Sequence, residues 1–215
     1  DVIELRAING VFAATGSLTG RSYTIATDTS DVSGNFLGID PDQLKSGGGE
    51  MKMGENISYA DIETRTPVVV ISEAVQQRLF DNQNPIGSTL KINNIPFRVK
   101  GVTTKPDSSF SFGNDDLFAW APINVARERV IGGDRFVQNH VSSIQVVGEI
   151  GANLDTIEEE INIALRRSRD LKADAPPDYR IFSSRGFQQQ AAEQTNSLSF
   201  LLAAMGAISL LVGGV

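Results

Sequence analysis

The chain has 215 residues, 40% hydrophobic and 21% charged, enough for one large domain or two modest ones with a core that needs neither disulfide nor metal. A formal charge of −7 and a pI near 4.8 exclude a basic nucleic-acid footprint and a polybasic lipid-docking patch. With no cysteine and one histidine, His140, disulfide frameworks, Cys-based zinc sites and thiol catalysis are excluded too.

Asp1 and Glu4 flank the first apolar residues, so the chain opens without the basic-then-apolar pattern of a signal peptide. Asp1 caps a short helix with Val2, Leu5 and Ile8 apolar, closed by Asn9-Gly10. Strands are expected at Val11–Thr15, Arg21–Thr27 and Asn35–Ile39. Between the first two, Gly16 to Ser22 (GSLTGRS) has a phosphate loop's glycines with too short a spacing, and Arg21 where lysine is required, so it reads as a turn. Asp40-Pro41-Asp42-Gln43-Leu44 runs into a single helical turn, Ser46–Gly49 is a glycine-rich loop, and Met51–Glu63 is polar and irregular.

Pro67–Ile71, an apolar run of β-branched residues, reads as a buried strand. Ser72 then caps the helix SEAVQQRLF, with Val75 and Leu79 one turn apart, until Asn84-Pro85-Ile86-Gly87 breaks it. Leu90 and Ile92, then Ile95, Phe97 and Val99, alternate with polar residues on either side of Asn93-Asn94. This is a hairpin with one buried face and a solvated one carrying Lys91, Arg98 and Lys100. Asp107–Gly113 is a loop, Leu117–Pro122 a strand, Val125–Ile131 a short helix and Ser142–Val147 a strand. Asn153 caps a helix through Leu171 with Leu154, Ile157, Ile161, Ala164 and Leu165 on one stripe. Its early Asp155, Glu158, Glu159 and Glu160 and late Arg166, Arg167 and Arg169 complement the helix dipole, which accounts for the charge run. After Pro176-Pro177, Tyr179–Ser184 is a strand, and from Phe187 a polar helical stretch continues as a stalk into the tail.

From Leu198 about 18 residues carry no charge. Leu198, Phe200, Leu201, Leu202, Met205, Ile208, Leu210 and Leu211 leave no polar stripe, and Gly206, Gly213 and Gly214 are common in membrane helices but costly in soluble ones. The run reads as the truncated start of a transmembrane helix, with a buried globular helix as the other reading.

No catalytic constellation emerges, and the chain is expected not to be an enzyme. His140 has no second imidazole to work with and reads as polar surface. Asp115-Asp116 beside Asn114 lacks the alternating ligands of a calcium loop. Four aromatics stand out: Phe118 and Trp120 alternate into a core, whereas Phe110 and Phe112, with Asn114, are candidate partner contacts, because exposed aromatics dominate protein–protein hot spots.

Taken together, Phe36-Leu37-Gly38-Ile39-Asp40-Pro41, then VVVISEAVQQRLF (Val68–Phe80) with NPIGSTLKINNIPFRVKGV (Asn84–Val102), then AISLLVGGV (Ala207–Val215), resemble the extracytoplasmic domain of MacB-type ABC-transporter permeases over nearly the whole chain. Ser108–Trp120 and Met51–Glu63 match less tightly. The resemblance implies an α+β fold of two subdomains: residues 1–45 and 141–190 as a discontinuous membrane-proximal α/β subdomain, and 46–140 as an inserted strand-rich one. Residues 191–215 would be the stalk and the membrane-helix start. It also implies a second permease copy and a periplasmic adaptor as partners, motion transmitted as by a lever, and a place in the bacterial cytoplasmic membrane facing the periplasm or the exterior. ATP and Mg would bind a separate domain, leaving no cofactor in this chain. Alternatives are a lipoprotein-releasing-type permease domain gripping a carrier, and a tethered ligand-binding or sensor domain with a concave pocket.

Overall fold

A computed structural model describes residues 2–46, 50–104, 117–132, 140–172 and 175–183. It divides into two compact units, Asp1–Ala164 and Leu165–Val215. In chain order the elements are α1 (Val2–Arg6), β1 (Val11–Ala26), β2 (Asp31–Ile39), α2 (Asp42–Ser46), β3 (Met51–Gly54), α3 (Tyr59–Glu63), β4 (Val68–Ser72) and α4 (Glu73–Phe80). There follow β5 (Thr89–Ile92), β6 (Ile95–Thr103), β7 (Phe118–Pro122), α5 (Ile123–Val125) running into a π-helical turn (Ala126–Ile131), β8 (Ser143–Gly148) and α6 (Leu154–Ser168).

Strand pairing in the first unit returns to its starting point. β1 pairs antiparallel with β2, β2 parallel with β7, β7 antiparallel with β4, and β4 parallel with β6. β6 pairs antiparallel with β5, and β5 antiparallel with Ile25 and Ala26 of β1. Six strands therefore close a ring. β8 adds to the N-terminal half of β1, and β3 to the end of β6.

Every strand of the ring sends residues to one buried cluster: Ile25, Phe36, Val69 and Ile71, Leu90 and Ile92, Phe97 and Val99, Ala119 and Ala121. Val75 and Leu79 of α4, and Val125 and Ala126, join it. The Phe36 ring lies 5.8 Å from both Tyr23 and Phe97, in the tilted geometry aromatics favour. A second cluster collects Ile39, Leu44, Ile57, Val70, Phe118 and Trp120. Phe118 and Trp120 stack at 5.6 Å, in the core as their alternation predicts.

Local chemistry explains the best-patterned stretch. The Ser72 side chain accepts from Val75 N–H to start α4, and accepts from Phe118 N–H at 3.1 Å to tie that cap to β7. Asn93 and Asn94 both take positive φ, 47° and 69°, as a two-residue hairpin turn requires.

Elsewhere the structure corrects the sequence reading. Gly16–Ser22 is no turn: β1 is one strand of 16 residues, with a bulge between Gly20 and Tyr23 that takes up one extra residue against β2. A side chain at Gly20 would run into the Tyr23 ring, so this glycine serves close approach within a strand. Met51–Glu63 is not irregular. It holds β3 and α3, the latter started by a capping box in which Ser58 and Asp61 satisfy each other's backbone N–H. Val125–Ile131 is mostly π-helical, and the last long helix ends at Ser168, three residues before Leu171. β2 pairs with β7 and β1 with β5, so strands from residues 1–45 and from residues 46–140 share one sheet.

In the second unit, Arg166 Nη2 donates to the carbonyls of Lys172 and Ala175 at 2.8 and 2.9 Å. Arg169 pairs with Asp178 at 3.0 Å and lies over the Tyr179 ring. Residues 179–183, expected to form a strand, are not in one. Among the described residues no helix is long and apolar enough to cross a membrane.

Candidate functional site

The polar chemistry of the first unit gathers outside its two apolar clusters. Where β2 ends, Asp40 lies 4.0 Å from Arg6 of α1, whose Nε donates to the Ala14 carbonyl at 2.7 Å. Burial pushes the Asp40 carboxyl above its ordinary range, and nearby Asp42 adds to the push; Arg6, the Gly16 N–H and Arg127 oppose it without cancelling it. Two residues on, Asp42 accepts from the Tyr59 hydroxyl, and that hydrogen bond, with some burial, raises the phenol's pKa. Arg127 donates to Asn124 and to the His140 carbonyl, while its Nε is buried without a partner. Arg6, Asp40, Asp42, Tyr59 and Arg127 thus form a charged corner drawn from four helical segments and the end of a strand. Tyr59 is exposed there, an aromatic body with a polar tip of the kind that anchors interfaces.

A second assembly fastens α3 to β6. Lys100 donates to Asp61 at 2.6 Å, and Ser58 donates to the same carboxylate from N–H and hydroxyl. Burial alone would raise Asp61; the Lys100 and Ser58 hydrogen bonds outweigh it and hold the carboxyl below its usual range.

A third lies between α2 and the β1–β8 pair. Thr15 faces Gln145 and Ser17 faces Ser143 across the strands, with the two serine hydroxyls 2.8 Å apart. Gln43 of α2 donates to Gln145 Oε1 at 2.8 Å.

Among the described residues no three of His, Cys, Asp and Glu gather as a metal site requires. His140 is exposed and enters only through its backbone carbonyl. The candidate partner contacts Phe110, Phe112 and Asn114, Asp115-Asp116, and the tail residues Leu198, Phe200, Leu201, Leu202, Met205, Ile208, Leu210 and Leu211 lie outside the described residues. The charged corner and the Gln43–Gln145 contact escaped the sequence reading because their members are far apart in the chain. Only Asp40-Pro41-Asp42, a helix start with one more acid than capping needs, hinted at the corner.

An α+β domain whose polar groups fasten elements together is the class that fold and site define. Residues 1–164 match the MacB-like periplasmic core domain, and the chain belongs to that family. The macrolide export ATP-binding/permease protein MacB of Aggregatibacter actinomycetemcomitans is 26% identical over 203 residues, covering 94% of this chain and 30% of the relative. MacB of Bdellovibrio bacteriovorus is 26% identical over 209 residues, covering 97% of this chain and 31% of its own. The chain thus spans about 30% of the length of the curated relatives it matches. Among solved structures, the periplasmic region of MacB from Actinobacillus actinomycetemcomitans superposes with a TM-score of 0.72 at 22% identity, covering 89% of this chain and 80% of that one. The extracellular domain of the noncanonic ABC-type transporter YknZ from Gram-positive bacteria gives 0.62 at 20% identity, covering 79% and 80%. Both likenesses are of fold.

Proposed function

We infer that the chain is the extracytoplasmic domain of an ABC exporter permease, coupling ATP hydrolysis elsewhere in the protein to efflux across the bacterial cytoplasmic membrane. The observation that carries this is the family match, which spans the whole first compact unit, together with relatives that are export permeases with ATP-binding parts. ATP and Mg belong to those parts. Two permease copies work together, each domain faces the periplasm or the cell exterior, and a helix beginning near Leu198 enters the membrane.

The domain acts as a lever and docks an adaptor protein. Its docking segment is the 105–116 connection carrying Phe110, Phe112 and Asn114. On either side of it, Thr103, which ends β6, and Leu117, which leads into β7, are both buried. Binding between this chain and the adaptor encoded beside its permease is the test. The parent should bind, and Phe110→Ala/Phe112→Ala should weaken binding by about thirtyfold, as the loss of hot-spot anchors does. Failure of the parent to bind, or a double variant that binds equally well, would overturn adaptor docking at this segment. Capture of a small ligand instead would favour a tethered sensor.

A further inference from the structure

The contact between α2 and the β1–β8 pair gathers two of the four buried, unpaired side-chain polar atoms found among the described residues, the others being Gln76 Oε1 and Arg127 Nε. Thr15, Ser17 and Gln43 are almost fully buried, yet none belongs to either apolar cluster. β1 alternates here: Ala14, Gly16 and Leu18 face one way, Thr15 and Ser17 the other, in register with Gln145 and Ser143 of β8. The side-chain hydrogen bond from α2 to β8 is Gln43 to Gln145. Two oxygens in the seam, Thr15 Oγ1 and Gln43 Oε1, are buried with no hydrogen-bond partner.

Buried polar groups left unpaired cost free energy, and that cost is released when water reaches them. In the ring the balance is opposite, because parting Val69 or Ile71 from its neighbours exposes apolar surface with nothing to recover. Opening is therefore cheaper at the seam than between strands of the ring, although α2 stays anchored by Leu44 in the second apolar cluster. We propose that the seam between α2 and the β1–β8 pair is a water-admitting joint, the place where this domain gives while the six-stranded ring stays closed. The proposal deepens the lever reading by locating the yielding surface.

The cysteine-free chain makes the test direct. Thr15→Cys places one thiol in the seam, and Ser17→Cys supplies a second probe should the first fold poorly. Val69→Cys places one in the ring, equally buried. Labelling by a thiol reagent is followed in the 215-residue chain, with global stability from urea titration subtracted. The seam thiol should react at least about tenfold faster than the ring thiol, the scale set by one unsatisfied buried group. Adding Gln43→Met/Gln145→Leu, which removes both amides and with them the unpaired Gln43 Oε1 while keeping the Ser17–Ser143 pair, should slow it again. Equal rates for seam and ring, or a seam rate unmoved by the apolar pair, would overturn the joint. The measurement involves no adaptor: slow labelling with intact adaptor binding removes the joint alone, and fast labelling without adaptor binding removes the docking reading alone.

Discussion

Asp61 and Asp40 sit on the same domain with opposite responses to pH. Asp61 is held ionised by Lys100 and Ser58, so its stabilisation is present above the ordinary value of 3.8 and is lost as pH falls through its lowered folded pKa. Asp61→Asn should cost about 1–2 kcal/mol at neutral pH, because partly buried Lys100 loses its close carboxylate and keeps only the exposed Glu55 at 3.9 Å. The gap should narrow in urea titrations repeated at successively lower pH below 3.8. Asp40 works the other way. Burial lifts its pKa, so the folded state takes up the proton more readily than the unfolded one. Its ionised form is a burden at neutral pH that is relieved as pH falls through the raised pKa toward 3.8. Asp40→Asn removes that burden, so it should not lower stability at neutral pH. It should also flatten the part of the profile just above 3.8. A parent profile unchanged by either substitution would show that neither carboxyl is tuned by its surroundings.

At the scale of elements, legibility followed locality. β4, the Ser72 cap, α4 and the Asn93-Asn94 hairpin were readable because each signal and its physical cause lie within a few residues. β1 was misread because glycines usually punctuate, and here Gly16 and Gly20 serve close approach inside a strand. Capping residues Ser58 and Asp61 stood in plain view, but α3 is five residues long with none buried, so no apolar periodicity announced it. Gly38, in the apolar-Gly-apolar-Asp motif, has a packing reason: a Cβ there would lie 2.6 Å from the Ala126 Cβ and 3.2 Å from the Ile123 backbone. Gly38→Ala should therefore destabilise by about 1–3 kcal/mol through overpacking of α5 on β2. Ser72→Ala should cost about 1–3 kcal/mol, since it removes a helix cap and leaves the buried Phe118 N–H unpaired. Chemical denaturation of the two variants checks both; a neutral Gly38→Ala would mean that the π-helical segment yields freely.

For the whole molecule, ring closure was the least legible feature, because it depends on pairs such as Ile25 with Ile92 that no local pattern encodes. The charged corner and the Gln43–Gln145 contact were hidden for the same reason. Closure has a measurable sign. With every ring strand paired on both sides, no ring strand can leave without opening the shared core, so protected amides of β5 and β7 should exchange with the same opening free energy. Native-state exchange in which the β5–β6 hairpin opens well before β7 would contradict that.

The bulge in β1 carries a different kind of consequence. Between Gly20 and Tyr23 the strand spends one more residue than β2 does, so its two halves keep separate phases of alternation. Deleting Arg21 or Ser22 while β2 stays in place would turn the N-terminal half over. Ala14 and Leu18 would face α2, and Thr15 and Ser17 would take the apolar side. For a gene diverging by insertion and deletion, the length of this strand is then as strictly inherited as its composition, and single-codon gaps between Gly20 and Tyr23 should be absent from working descendants unless β2 changes length in step.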